Sequence, residues 1–164
     1  MKPAVRTPSS VWRNPIHFLA FGGGAGASKI APGTCGTLVA IPLYILLQDL
    51  PVLMYIFVTV ALFLLGIWLC RITTRDLGVH DHPGIVWDEI VGYLITMTAA
   101  PAGAESAWLW IVLGFALFRL FDIWKPWPIN LLDRQVKGGF GIMIDDVVAG
   151  LYAWLLMQGI AMSV

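Results

Sequence analysis

The sequence predicts an all-α, polytopic membrane bundle of about five short transmembrane helices. Composition is the first reason: of 164 residues, 59% are hydrophobic and 12% charged, about half the charged share of an ordinary soluble domain. The second is that apolar residues gather in runs long enough to approach a bilayer's thickness. The third is charge placement. All ten Lys and Arg fall in residues 2 to 29, 71 to 75 and 119 to 137, and the apolar runs between those stretches carry none.

Residues 1 to 30 read as a cytoplasmic or interfacial N-terminal segment. Met1 to Arg13 is polar and basic, without the apolar core and cleavage site of a signal peptide. Around His17, the residues Trp12, Ile16, Phe18 and Leu19 suit an amphipathic helix lying on the membrane surface. The glycine run Gly22-Gly23-Gly24-Ala25-Gly26 leads to Lys29 and then Ala31-Pro32-Gly33. It lacks the GK[ST] of a P-loop, which leaves a loop able to wrap a phosphate at the mouth of the first span.

The apolar spans are residues 36–48, 52–70, 90–100, 106–121 and 147–163. Only the second and last approach the ~20 residues a crossing helix needs. Residues 31–35, 85–89 and 142–146 can lengthen the others and the last, because acids at the edges reach headgroup water. Five crossings result, with four plus a re-entrant segment as the alternative. The outer turns, Gln48 to Pro51 and Pro101 to Glu105, are too short to hold an external domain. Trp68, Trp87, Trp124 and Trp127 fall at inner boundaries and Trp108 and Trp110 at an outer one, as interfacial rings prefer. Five crossings put every basic residue on one side, which the positive-inside rule makes cytoplasmic, together with the N-terminus. No repeat or low-complexity linker divides residues 1–164, so a single integral-membrane domain is expected. Zero formal charge argues against nucleic acid. Cys35 and Cys70 map to cytoplasmic span ends, where thiols stay reduced.

Carboxylates gather with the basic residues. Asp49 and Glu105 occupy outer turns, whereas Asp76, Asp81, Asp88, Glu89, Asp122, Asp133, Asp145 and Asp146 share the cytoplasmic face. Asp88 and Glu89 start the third span, Asp122 ends the fourth, and Asp145 and Asp146 start the fifth. Such acids are costly beside hydrocarbon unless paired. Helix capping accounts for acids in a first turn. It does not account for Asp122 at a helix C-terminus, which must rely on Arg119 or on a cation. A hard divalent ion held by carboxylates is the competing reading.

Lys125, stiffened by Pro126 and Pro128, and Lys137, followed by Gly138-Gly139-Phe140-Gly141, supply positive charge near these acids. His80 and His82 flank Asp81; on a helix or strand they diverge, and His82 as a general acid is the sharper reading. Signatures of phosphoaspartyl, phosphocysteinyl and phosphohistidyl phosphatases are missing, which leaves metal-activated water.

Four blocks, APGTCGTL (31–38), VHDHPGIVWDEIVG (79–92), FRLFDIWKPWPI (118–129) and KGGFGIMIDDVVAG (137–150), give the chain a close resemblance to the phosphatidylglycerophosphatase A family. The resemblance covers nearly the whole chain; Cys35 is its visible departure and touches no proposed ligand. It implies a bacterial inner-membrane, multi-pass hydrolase of phospholipid biosynthesis with its active site on the cytoplasmic face. The implied substrate is phosphatidylglycerophosphate, reached within the membrane, and the implied cofactor is Mg²⁺. On this basis Glu89, Asp122, Asp145 and Asp146 are expected as metal ligands, with Glu89 and Asp122 first. Asp88, Asp145 and Asp146 are the expected catalytic acids, Lys29, Arg119, Lys125 and Lys137 the phosphate-binding residues, and His82 the general acid.

Two rivals remain. CDP-alcohol phosphotransferases also present an acidic Mg²⁺ face, but Asp145-Asp146 here lacks their following Arg and a later Asp pair. A small transporter would need charges at mid-depth, and the spans hold none there.

Overall fold

The structure is a computed structural model and describes residues 7–101 and 107–163. Lys2, Arg6 and Glu105, with most of the turn that Glu105 belongs to, lie outside the described residues. All regular structure among the described residues is helical: α1 (Pro15–Ala20), α2 (Pro32–Leu47), α3 (Val52–Leu77), α4 (Trp87–Thr96), α5 (Ala107–Trp124), α6 (Ile129–Gln135) and α7 (Gly138–Ala161), with 3-10 turns at Ser9–Trp12 and Gly22–Ala27.

Helices α3, α5 and α7 are long and apolar enough to cross a membrane. Their outward residues, Leu53, Phe57, Leu64, Leu109 and Leu155 among them, are exposed, as lipid-facing side chains would be. The 16 residues of α2 rise ~24 Å. The third apolar stretch does not become a full-length helix. The 10 residues of α4 rise ~15 Å, about half of a hydrocarbon core.

Helix α4 can stop there because carbonyls of its last turn and of the turn that follows it find donors on neighbouring helices. Ala99 adopts φ 52° and turns the chain. Tyr55 Oη donates to the Leu94 carbonyl at 2.7 Å, and Trp154 Nε1 to Thr98 O at 2.9 Å. Gln158 Nε2 donates to Thr98 O and Ala99 O, both at 3.2 Å. Backbone groups at membrane depth require such partners, since lipid supplies none.

Helix α7 is the hub, packing against α3, α4, α5 and α6. Small residues let it approach α4: a Cβ on Gly150 would run into the Gly92 carbonyl, and one on Gly92 into the Asp146 carbonyl as well as Phe118 of α5. Thr96 Oγ1 also donates to Gly150 O at 3.4 Å. At the other end, His17 is buried, with Nδ1 3.0 Å from Ser10 Oγ and Nε2 3.4 Å from Asp76 Oδ2. This contact clips the N-terminal segment to the C-terminal end of α3, where Arg71 and Arg75 lie, and leaves Trp12, Phe18 and Leu19 exposed.

Candidate active site

Three helix ends converge on a cavity of about 460 Å³. Helix α4 begins after an irregular stretch that is pinned where Val86 N–H donates to Ala20 O at 3.0 Å. Its first turn therefore projects Asp88 and Glu89. The C-terminal end of α5 carries Arg119 and Asp122, three residues apart on one face. Asp145 and Asp146 come from α7 and are 6% and 3% exposed.

These last two do not start their helix, as the sequence suggested. Residues Gly138 to Ile144 precede them, about two turns, and no acid occupies the first turn of α7. Capping therefore cannot explain the pair, and the acids are sunk below the helix start.

Asp88, Glu89, Arg119, Asp122, Lys125, Lys137, Asp145, Asp146 and His82 all line the cavity. Lys29 does not; it is exposed, and Ala31, Pro32 and Gly33 line the wall instead. The reason is local. Ala31 takes a left-handed conformation, φ 48° and ψ 59°, and turns the chain straight into α2. Two further acids of the cytoplasmic-face group, Asp81 and Asp133, also line the cavity, and neither was expected as a site residue.

Asp88, Glu89 and Asp146 approach most closely, with one oxygen from each lying within 4.8 Å of the others. Asp88 Oδ1, Glu89 Oε2 and Asp146 Oδ2 are buried without a hydrogen-bond partner. Unsatisfied carboxylate oxygens held so close repel one another and cost several kcal/mol. An all-oxygen, anionic donor set of this kind suits a hard divalent cation such as Mg²⁺.

Asp122 and Asp145 line the same cavity but already hold cations. Arg119 Nη1 binds Asp122 Oδ2 at 2.5 Å and lies 3.9 Å from Glu89 Oε1. Lys125 Nζ donates to Asp145 Oδ2 at 2.7 Å and to Asp133 Oδ1 at 2.9 Å. Burial opposes the Lys125 ammonium, but its bonds to Asp145 and Asp133 outweigh burial and raise its pKa above that of an ordinary lysine.

Gly33 packs against this constellation, and a Cβ there would collide with Glu89 Oε1 and touch Arg119 Nη1 at 3.1 Å. No side chain caps the N-terminus of α2, and Ala31, Pro32 and Gly33 at that end line the cavity, an arrangement favourable to anions. His82 is buried against Phe21, ring centroids 5.2 Å apart, and its Nδ1 accepts from Gly84 N–H at 3.0 Å. Burial lowers the imidazole pKa, against the pull of Asp81, and Nε2 carries the proton of the neutral ring.

The family model for Phosphatidylglycerophosphatase A matches residues 18–161 of this chain. Phosphatidylglycerophosphatase A of Escherichia coli (strain K12) is 51% identical over 138 residues, which cover 84% of this chain and 78% of the relative. The protein of the same name from Haemophilus influenzae is 51% identical over 148 residues, covering 90% and 89%. No solved structure matches the chain.

Proposed function

The chain belongs to the phosphatidylglycerophosphatase A family, and on that premise we propose that its cavity hydrolyses the terminal phosphomonoester of phosphatidylglycerophosphate. A water oxygen bonds to phosphorus, the bond from phosphorus to the glycerol oxygen breaks, and phosphatidylglycerol and inorganic phosphate leave. The observation that carries this reading is the convergence of Asp88, Glu89 and Asp146, with orphaned buried oxygens, beside Arg119 and Lys125.

Asp88, Glu89 and Asp146 are the residues that would hold Mg²⁺, which when bound supplies positive charge and acidifies water. Arg119, Lys125 and Lys137 bind the non-bridging phosphate oxygens, whose charge must be met in phosphoryl transfer. The open amides of α2 add donors that a side chain at Gly33 would obstruct. Asp145 Oδ1 is buried and unpartnered, so it is the oxygen placed to orient the attacking water and take its proton. His82 Nε2–H, the donor of the neutral ring, would hydrogen-bond the departing glycerol oxygen, which takes its proton from solvent water.

The cavity lies at the bundle end where the basic residues gather, a distribution that favours the cytoplasmic leaflet, and the family supports a bacterial inner membrane. Substrate then enters sideways with its tails still in lipid.

The test is phosphate release by purified protein in detergent, where no compartments exist for a transporter to separate. Magnesium-dependent release of phosphate from phosphatidylglycerophosphate is expected. Production of CMP from CDP-diacylglycerol and glycerol 3-phosphate, with no phosphate release, would overturn the reading in favour of a phosphotransferase.

A further inference from the structure

The Lys125 ammonium has three N–H donors, and two of them are committed to fixed acceptors on different helices: Asp145 Oδ2 on α7 at 2.7 Å and Asp133 Oδ1 on α6 at 2.9 Å. The two acceptors differ in setting. The Asp145 side chain is 8% exposed and that of Asp133 45%, so the ammonium is suspended between the buried interior and the cavity mouth. Its backbone is equally constrained. Lys125 sits at φ 45°, a conformation costly for a residue with a side chain and retained where surrounding structure over-determines it. Pro126 and Pro128 follow and limit the chain's freedom further.

Asp145 alone could neutralise this lysine. A second carboxylate on a separate helix adds direction: with two donors fixed in space, the third has one orientation. Lysine is ordinarily the flexible phosphate binder, a point charge on a four-carbon stem with much rotamer freedom to lose. Here that freedom is removed before any ligand arrives, which is how preorganised sites gain their advantage.

We propose that Asp133, to which no role has so far been assigned, is a positioning residue: with Asp145 it fixes the Lys125 ammonium so that its third N–H meets a non-bridging oxygen of the phosphate. The inference rests on the reading of the cavity as a phosphomonoesterase site and deepens it. It makes α6, only seven residues long, a functional strap between α5 and α7. The alternative role for Asp133 is competition, a carboxylate occupying the lysine until phosphate displaces it. The two roles have opposite signs, because losing a competitor strengthens phosphate binding and losing a positioning residue weakens it.

The experiment uses full-length protein in detergent with Mg²⁺ and inorganic phosphate as probe. Phosphate affinity is measured by calorimetric titration for wild type, Asp133→Asn, Asp133→Glu, Lys125→Met and the Asp133→Asn/Lys125→Met double variant, with kcat and KM on the lipid alongside. Asp133→Asn is expected to weaken phosphate about five-fold and to lower kcat, with Asp133→Glu recovering part of both. In the Lys125→Met background the Asn change should have no further effect, since the group it positions is gone. Tighter or unchanged phosphate binding by Asp133→Asn would overturn the proposal, as would an equal loss with and without the lysine. A wild type that binds phosphate but releases none from the lipid would instead defeat the hydrolytic reading, leaving the titration to judge Asp133.

Discussion

Arg119 Nη1 lies 3.9 Å from Glu89 Oε1 while binding Asp122 Oδ2. One guanidinium thus joins the end of α5 to the start of α4, with all three side chains 12 to 15% exposed. A planar guanidinium reaches two acids from one rigid fork and still presents a nitrogen to a phosphate, a geometry that an ammonium at the same position does not reproduce. Arg119→Lys should therefore lower kcat/KM at least ~10-fold. Steady-state kinetics on folded protein decide this, and near-normal turnover would remove Arg119 from the phosphate site.

Neutralising one of the clustered acids should have opposite effects on activity and on metal-free stability. Asp88→Asn, Glu89→Gln or Asp146→Asn removes a ligand, with activity falling ~100-fold or more. The same changes relieve repulsion among close buried carboxylates, so each variant in EDTA should melt a few degrees above wild type. Magnesium should raise the wild-type midpoint and leave the variants' midpoints little changed. Differential scanning fluorimetry reads both arms.

Gly33 is predicted to tolerate no side chain. Gly33→Ala drives a methyl into Glu89 Oε1, so activity should fall at least ~10-fold, with the helical content of the protein retained. Gly159 is the control, since a Cβ there meets nothing within 4 Å. Equal activity of the two alanine variants would show that the α2 amides do not border the bound phosphate.

His82 sets a pH dependence of stability. Its folded-state pKa is lowered, first by burial, so the folded protein favours the neutral ring. That contribution is fully present above the unfolded value of ~6.5 and is lost as pH falls through the lower folded value. The thermal midpoint should drop between pH 7 and pH 5. His82→Asn, whose amide oxygen can still accept from Gly84 N–H, should flatten the drop; an unchanged slope would acquit the imidazole.

Much of this was legible in the primary structure. Charge segregation and apolar runs announced a membrane bundle with its ionisable residues at one end, and acids in three separate blocks announced a shared site. Other features were not legible, for reasons that are physical. The apolar run continues past Thr96, so nothing in hydropathy marks where α4 stops; the stop comes from Ala99 and from donors on α3 and α7 that are distant in sequence. Lys29 was attractive because it follows a glycine run, but the left-handed turn at Ala31 brings Ala31, Pro32 and Gly33 to the cavity instead. The burial of Asp145 and Asp146 two turns inside α7 was hidden because Ile142, Met143 and Ile144 before them read as the edge of a span. Asp133 was not expected as a site residue because its partner, Lys125, is reached only when α6 folds back.

The hydrogen bonds from Trp154 and Gln158 at the far end of α4, with the glycine contact at its middle, weld that short helix to α7 along its full length. Asp88, Glu89 and Asp146 consequently belong to a single stiff body, to which Arg119 is tied through Glu89 and Lys125 through Asp145. A cation bound by those acids would rest on a pedestal already formed before the bulky lipid arrives. Loosening the weld by Gln158→Leu, far from any reacting atom, should then show up first as a higher magnesium requirement rather than as poorer capture of lipid.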